Sequence, residues 1–349
     1  MSAGSTAARA PALPPGAFLD QVRAFAAFGR PTEAFADAGI PYFVNEFWTA
    51  AQRQAHAIHE ISYRACFKPQ LPEFFIARLT APGEAVHDPF MGRGTTPVQA
   101  ALMGRQPFGV DINPLALLLT RPRLAPPSLA AIAARLAEVP WEHGGDTRDD
   151  LLAFYHPDTL RRLTALRTWL LARAPLDDPA PDPVDDWIRM VALNRLSGHS
   201  PGFFSVRSMP PNQAVSVSGQ VRLNAKSGVA PPPRDVAVLI LKKSRRLLAD
   251  GVPPAHPPGR LLAGDAAMSP ALADGSVALV VTSPPFLDIV QYASDNWLRC
   301  WFAGIDPKAV PIAMHRGEAA WTAMIRAVLT EQARLLRPGG HMAFEVGEV

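Results

Sequence analysis

The sequence predicts an α/β fold: a doubly wound parallel sheet interrupted by a helical, loop-rich insertion. Three observations carry this. Short apolar runs at 85–88, 107–111 and 277–281 read as buried strands. Stretches with helical apolar spacing alternate with them, as expected of parallel strands joined by crossover helices. Residues 126–255, between the two α/β stretches, lack that alternation and carry helical and loop patterns instead.

The bulk numbers are compatible with this. A chain of 349 residues with 48% hydrophobic content can bury a large core, and its length fits one large domain or a domain with an insertion. No apolar run reaches the roughly 18 residues a membrane helix needs. Residues 1–16 lack the charged start and apolar stretch of a secretory signal, so the expected location is the cytoplasm. The net charge is +3 and the pI about 9.1, mild support for a polyanionic partner. Two cysteines, Cys66 and Cys300, make neither a disulfide framework nor a metal cluster. The 37 prolines imply long loops on a folded body.

In chain order, residues 1–40 read as a loose arm with one helix around 18–27. Residues 41–125 form the first half of the α/β unit. A helix at 71–79 leads through the Pro82-Gly83 turn into a strand at 85–88. A helix then begins at Thr95-Thr96-Pro97, where threonine can cap and proline suits the first turn. Val98, Ala101 and Leu102 mark its buried face, Gly104 ends it, and a second strand runs over 107–111. In the insertion, helices are expected at 160–171 and 186–196. Loop and a short strand follow over 197–233, then a helix capped by Asp235. Residues 256–349 return to the α/β pattern, with strands at 261–265 and 277–281 and a helix from 321. Pro338-Gly339-Gly340 stops that helix, and a last strand covers 341–346. The count is five strands, near Val86, Phe108, Leu262, Leu279 and Ala343.

Two motifs carry the chemistry. The first is Asp88-Pro89-Phe90-Met91-Gly92-Arg93-Gly94-Thr95-Thr96, at the carboxyl end of a strand, where open α/β sheets bind ligands. Gly92 and Gly94 allow a sharp turn and close approach of a ligand. There is no Gly-x-x-x-x-Gly-Lys-Ser/Thr, so a phosphate-cradling P-loop is not supported. Asp111 ends the next strand and is placed to accept from ribose hydroxyls. Oxidoreductases share this pair. The second motif, Thr282-Ser283-Pro284-Pro285-Phe286, decides between them. Two prolines have no N–H and present rigid carbonyl acceptors. Ser283 adds a hydroxyl and Phe286 an aromatic face, together suited to an amino group on a flipped-out base.

Together the motifs resemble the S-adenosylmethionine-dependent amino-methyltransferases of DNA, which make N4-methylcytosine or N6-methyladenine. The first is similar to that family's methionine loop and the second to its catalytic motif. Ser283 resembles the cytosine-N4 members more than the adenine-N6 members. The motif order, cofactor first and catalysis last, is like the family's alpha group, which pulls slightly the other way. The resemblance covers about 41–125 and 256–349, with 126–255 matching only in position, as a target-recognition region. It implies catalytic roles for Ser283, Pro284, Pro285 and Phe286. It implies that Asp88, Phe90, Gly92, Gly94 and Thr95 line the methionine side and that Asp111 holds the ribose. Ile112 would pack on adenine, Asp265 would meet its amino group, and Phe67-Lys68-Pro69 would close over the methionine end. The family's sheet has seven strands and ends in an antiparallel hairpin, so the five-strand count makes that hairpin an expected absence.

The partners implied are double-stranded DNA and a cognate restriction endonuclease, with no membrane and no metal. Candidate DNA contacts are Asn194, Arg195, His199 and Arg207, and the basic run Lys242, Lys243, Arg245 and Arg246. The plain alternative for that run is a solvated face suited to a helix C-terminus.

Overall fold

Val277-Ala278-Leu279-Val280-Val281-Thr282 is buried along its whole length, as a strand covered on both faces must be. It is β6 of a computed structural model that describes residues 16–48, 55–145, 147–285, 292–312 and 317–346. The elements are α1 (Ala17–Arg23), β1 (Glu33–Asp37), β2 (Ile40–Val44), α2 (Gln70–Leu79), β3 (Ala85–Asp88), α3 (Thr95–Leu102), β4 (Gln106–Asp111) and α4 (Leu115–Thr120). The insertion supplies α5 (Leu129–Ala137), α6 (Pro157–Arg173), α7 (Pro183–Leu193), α8 (Val217–Ser227) and α9 (Val236–Leu247). Then come β5 (Arg260–Ala263), β6 (Val277–Thr282), α10 (Tyr292–Asp295), α11 (Trp297–Ala303), α12 (Glu318–Leu335) and β7 (Leu336–Phe344).

The main sheet has the order β5-β4-β3-β6-β7, and all its pairings are parallel. The doubly wound parallel sheet is therefore present, with the five strands where the sequence places them. No antiparallel hairpin joins it among the described residues. Alternation along the strands sends side chains to two faces. Val86, Leu279 and Val281 pack on Leu71 and Ile76 of α2 and Ala100 of α3. Ala85, Phe108 and Val280 pack on Leu272 and on Leu335 of α12. The strand order reverses between β3 and β6, which are hydrogen-bonded neighbours with Val86 opposite Leu279. A crevice must open there beyond the carboxyl ends.

The insertion helices share one core with the sheet's own helices. Leu119 of α4, Leu166 of α6, Trp187 of α7, Ile240 of α9 and Phe302 of α11 belong to the same buried cluster. Trp187 is fully buried and donates its indole N–H to Ser244 Oγ at 3.0 Å. Side chains of Ser128, Asp182 and Asp235 cap α5, α7 and α9.

Four local expectations need correction. The N-terminal arm holds a hairpin, β1–β2, whose Ala38-Gly39 turn has φ of 47° and 79°. That is the primed turn a two-residue hairpin demands, with alanine standing where Asn or Asp usually announces it. The stretch 197–233 contains α8, capped by Ser216 and ended by Gly228 at φ 64°. Its helical period is hidden because it buries only Gly219 and Gln220. Pro338-Gly339-Gly340 does not stop α12. The helix ends at Leu335 and passes straight into β7, where those residues form a bulge between the Val277–Leu336 and Leu279–His341 pairs. Thr95 does not cap α3; Gly94 is the cap, in the left-handed region.

Leu279 is fully buried at the centre of the sheet. Leu279→Ala should cost about 2–5 kcal/mol of stability, read as a lower midpoint in denaturant unfolding. A change within about 0.5 kcal/mol would mean that β6 is not central.

Candidate active site

Beyond Asp88 the chain turns through the glycine loop. Gly92 and Gly94 have φ of 50° and 76°. Gly94 is also sterically fixed, because a Cβ there would lie 2.2 Å from Thr120 Oγ1. The loop is pinned from both adjacent strands. Gly92 N donates to Asp111 Oδ2 at 2.8 Å, and Asn113 N donates to Asp111 Oδ1 at 2.8 Å. Phe90 N donates to Asp88 Oδ1 at 3.0 Å.

The acceptor side meets the cofactor side at the strand reversal. Thr282 Oγ1 donates to Asp88 Oδ1 at 2.6 Å, and Thr96 Oγ1 donates to the Val281 carbonyl at 3.0 Å. Both bonds hold the end of β6, immediately before Ser283. Trp321 of α12 donates its indole N–H to the Pro285 carbonyl at 3.0 Å. The diproline is thus held from the sheet below and from a helix beside it. Phe286 lies outside the described residues.

One cleft of about 370 Å³ joins the two sides. It is lined by Phe67, Phe90, Gly92, Thr95, Asp111, Ile112 and Asp265 from the expected cofactor set, and by Ser283, Pro284 and Pro285. Asp88 and Gly94 do not line it; Asp88 is buried. Lys68 and Pro69 also stand outside the lining. Pro69 instead precedes α2 as its cap residue.

Several lining residues were not read from the sequence. Met324 and Val328 come from the same face of α12 as Trp321. Tyr63, Cys66 and Arg93 form a wall with Phe67. That wall belongs to an irregular segment held by arginines from elsewhere in the fold. Arg93 donates to the Ile61 carbonyl at 2.7 Å and the Phe67 carbonyl at 3.3 Å. Arg123 donates to the Ile58 carbonyl at 3.3 Å, and Arg299 to the Ser62 carbonyl at 2.8 Å. A backbone carbonyl has no sequence signature, so only Arg93, inside the glycine motif, offered any hint.

Burial shapes the acids. It pushes the Asp88 carboxyl up from its ordinary 3.8 to about 7, and bonds from Thr282 and Phe90 N offset this only in part. It also raises Asp111 to about 6, against the amides of Asn113 and Gly92. The Cys66 thiol is pushed up as well, so the cleft does not hold a ready thiolate. Among the described residues, no group of three or more His, Cys, Asp or Glu is arranged to hold a metal ion. No described helix is long and apolar enough to cross a membrane.

The candidate DNA contacts separate clearly. Asn194 is 1% exposed; its Oδ1 accepts from Ser62 N and its Nδ2 donates to the Met190 carbonyl. It is a structural residue at the end of α7, with no face left for a base. Lys243 and Arg246 both pair with Glu60. The Arg195 guanidinium sits 4.0 Å over the Phe203 ring. His199, Arg207, Lys242 and Arg245 are exposed.

These features define an α/β fold with a ligand cleft at its switch point, walled by a glycine loop, a strand-end acid and a Ser-Pro-Pro turn. Residues 41–120 match the profile of the DNA methylase family. Over 72 residues the chain is 42% identical to the Type II methyltransferase M.MjaII of Methanocaldococcus jannaschii; the stretch covers 21% of this chain and 13% of that relative. Residues 41–120 are thus similar to the DNA methylase family, and the chain spans only a small part of the length of the relative it matches. That stretch holds the glycine loop and Asp111 and stops before the Ser-Pro-Pro turn.

The Asp88 shift has a definite sign. The unfolded chain loses this proton near pH 3.8, whereas the folded protein keeps it to about 7, so Asp88 lowers stability as pH rises through that window. Melting curves at about pH 4.5 and pH 7.5 should show a smaller drop in Asp88→Asn than in the native chain. An equal drop in both would show that Asp88 ionises normally.

Proposed function

We propose that the chain is a DNA amino-methyltransferase that modifies the N4 amino group of a flipped-out cytosine. The observation that carries this is the shared cleft: the glycine loop and Asp111 face Ser283-Pro284-Pro285 across one cavity. The similarity of residues 41–120 to the DNA methylase family supports the cofactor side of the reading. The residues present fit S-adenosylmethionine. Gly92 and Gly94 bend the loop with no side chain at either turn, and each Asp111 oxygen accepts one amide and keeps a lone pair for a ribose hydroxyl. Asp111 would hold the ribose, Ile112 and Asp265 the adenine end, and Phe90, Gly92, Thr95 and Phe67 the methionine end.

When bound, S-adenosylmethionine supplies an electrophilic methyl group. The chain's own work is orientation. The Ser283 hydroxyl and the Pro284 carbonyl accept the two hydrogens of the amino group and turn its lone pair toward the cofactor side. The prolines bring no N–H of their own to compete for those acceptors. Trp321 keeps the turn fixed, so little reorganisation is needed during reaction. The new N–C bond would replace the methyl's bond to sulfur, and the nitrogen would then shed one proton to solvent. Serine at 283, rather than aspartate or asparagine, favours cytosine. The partner is double-stranded DNA, and a restriction endonuclease of the same specificity fits a cytoplasmic modification role.

Nucleosides from DNA of an expressing strain, read by mass spectrometry, should contain N4-methylcytosine. N6-methyladenine alone would reassign the acceptor to adenine, and neither product would overturn the methyltransferase reading. Ser283→Ala should slow transfer by roughly ten- to a hundred-fold, since it removes one bond that orients the amino group. Transfer at the native rate would show that the serine is not in the pocket.

A further inference from the structure

A second cleft, of about 540 Å³, lies against the first and shares Tyr63 and Arg93 with it. It brings four cations, Arg93, Arg195, Lys243 and Arg246, together with one carboxylate, Glu60. They come from three separate parts of the chain: the glycine loop, the loop after α7, and α9. Glu60 is shared by Lys243 at 3.2 Å and Arg246 at 2.5 Å. Arg93 and Arg195 donate to carbonyls and a hydroxyl, which leave their charge uncancelled.

The cations crowd one another. Burial lowers Lys243 to about 8, and the neighbouring Arg195 adds to the effect. Burial and then Arg246 lower Arg195 to about 10. A cleft that concentrates like charge, with Lys243 buried, Arg93 and Arg195 half-buried and Arg246 at its exposed edge, is poised to be neutralised by an anion. One further feature favours a built site over a solvated patch: the Arg195 guanidinium sits 4.0 Å over the Phe203 ring, which restrains its fork.

We propose that this cleft binds the phosphodiester backbone of DNA beside the extruded base, with Arg195, Lys243 and Arg246 as the phosphate contacts. The inference rests on the methyltransferase reading and adds to it where the strand lies. A strand entering the first cleft at Ser283 would leave its neighbouring phosphate on the Tyr63–Arg93 side, where the second cleft begins. It separates the basic residues of α9 into two groups: Lys243 and Arg246 face this cleft, whereas Lys242 and Arg245 do not line it.

The test uses the full chain and a fluorescently labelled duplex, with affinity measured by anisotropy between about 50 and 200 mM salt. Each phosphate contact contributes about 0.9 to the log–log slope. Lys243→Gln with Arg246→Gln should make the slope shallower by about one to two and weaken binding at every salt concentration. Calorimetry should find S-adenosylmethionine binding within about two-fold of native, since those side chains lie outside the first cleft. Should the double variant lose cofactor binding, Arg246→Gln alone, at an exposed side chain, is expected to take about one unit from the slope. An unchanged slope with cofactor binding intact would overturn the cleft assignment and leave the methyltransferase reading standing. Binding of inorganic phosphate that the variant loses, with no change in the DNA slope, would assign the cleft to a free anion and overturn the proposal. A native chain that takes up S-adenosylmethionine but binds no duplex would overturn the DNA reading and this inference with it.

Discussion

The hydrogen bond from Thr282 to Asp88 is the constraint on which the site depends. Its 2.6 Å length joins the carboxyl ends of two strands that are neighbours in the sheet but far apart in the chain. On one side it continues through Phe90 N into the glycine loop. On the other it ends one residue before Ser283. The Thr96 bond to the Val281 carbonyl repeats the link one residue earlier. A doubly wound sheet supplies the crevice, and these two bonds set the separation of its walls. The buried carboxyl is costly, as its raised pKa records, and it is retained where it ties the halves together.

The remaining walls follow a different rule. The segment around 55–67 has almost no regular structure, yet it supplies Tyr63, Cys66 and Phe67 to the cleft. Arg93, Arg123 and Arg299 hold it by its carbonyls. Arg123 is fully buried and donates to the carbonyls of Leu119, Ile58 and Arg93, and burial lowers its pKa to about 9. A planar fork with several donors can satisfy a run of irregular backbone that helix or sheet would otherwise have to satisfy. The segment can thereby form a wall without forming an element.

Much of this was legible in the sequence because it rests on local chemistry. Apolar runs gave the five strands, and the glycines and strand-end acids marked the crevice. What stayed hidden rests on geometry or on missing patterns. The β1–β2 turn used Ala38 where Asn or Asp would have signalled it. Helix α8 buries almost nothing and so shows no stripe. Pro338-Gly339-Gly340 reads as a stop in either context, and only pairing with β6 reveals a bulge. Trp321 was visible as the start of a helix, but its hold on the Pro285 carbonyl belongs to the tertiary fold. Asn194 looked available for a base contact until the packing of α7 against Ser62 used both ends of its amide.

The most direct test of the account is the rate of methyl transfer to DNA at saturating S-adenosylmethionine in Thr282→Val and Thr282→Ser. Valine keeps the size of the side chain and removes the donor; serine keeps the donor. If the bond to Asp88 sets the spacing of the two walls, valine should lower the rate roughly ten- to a hundred-fold, while serine stays within about three-fold of native. A valine variant that transfers methyl groups at the native rate would contradict it.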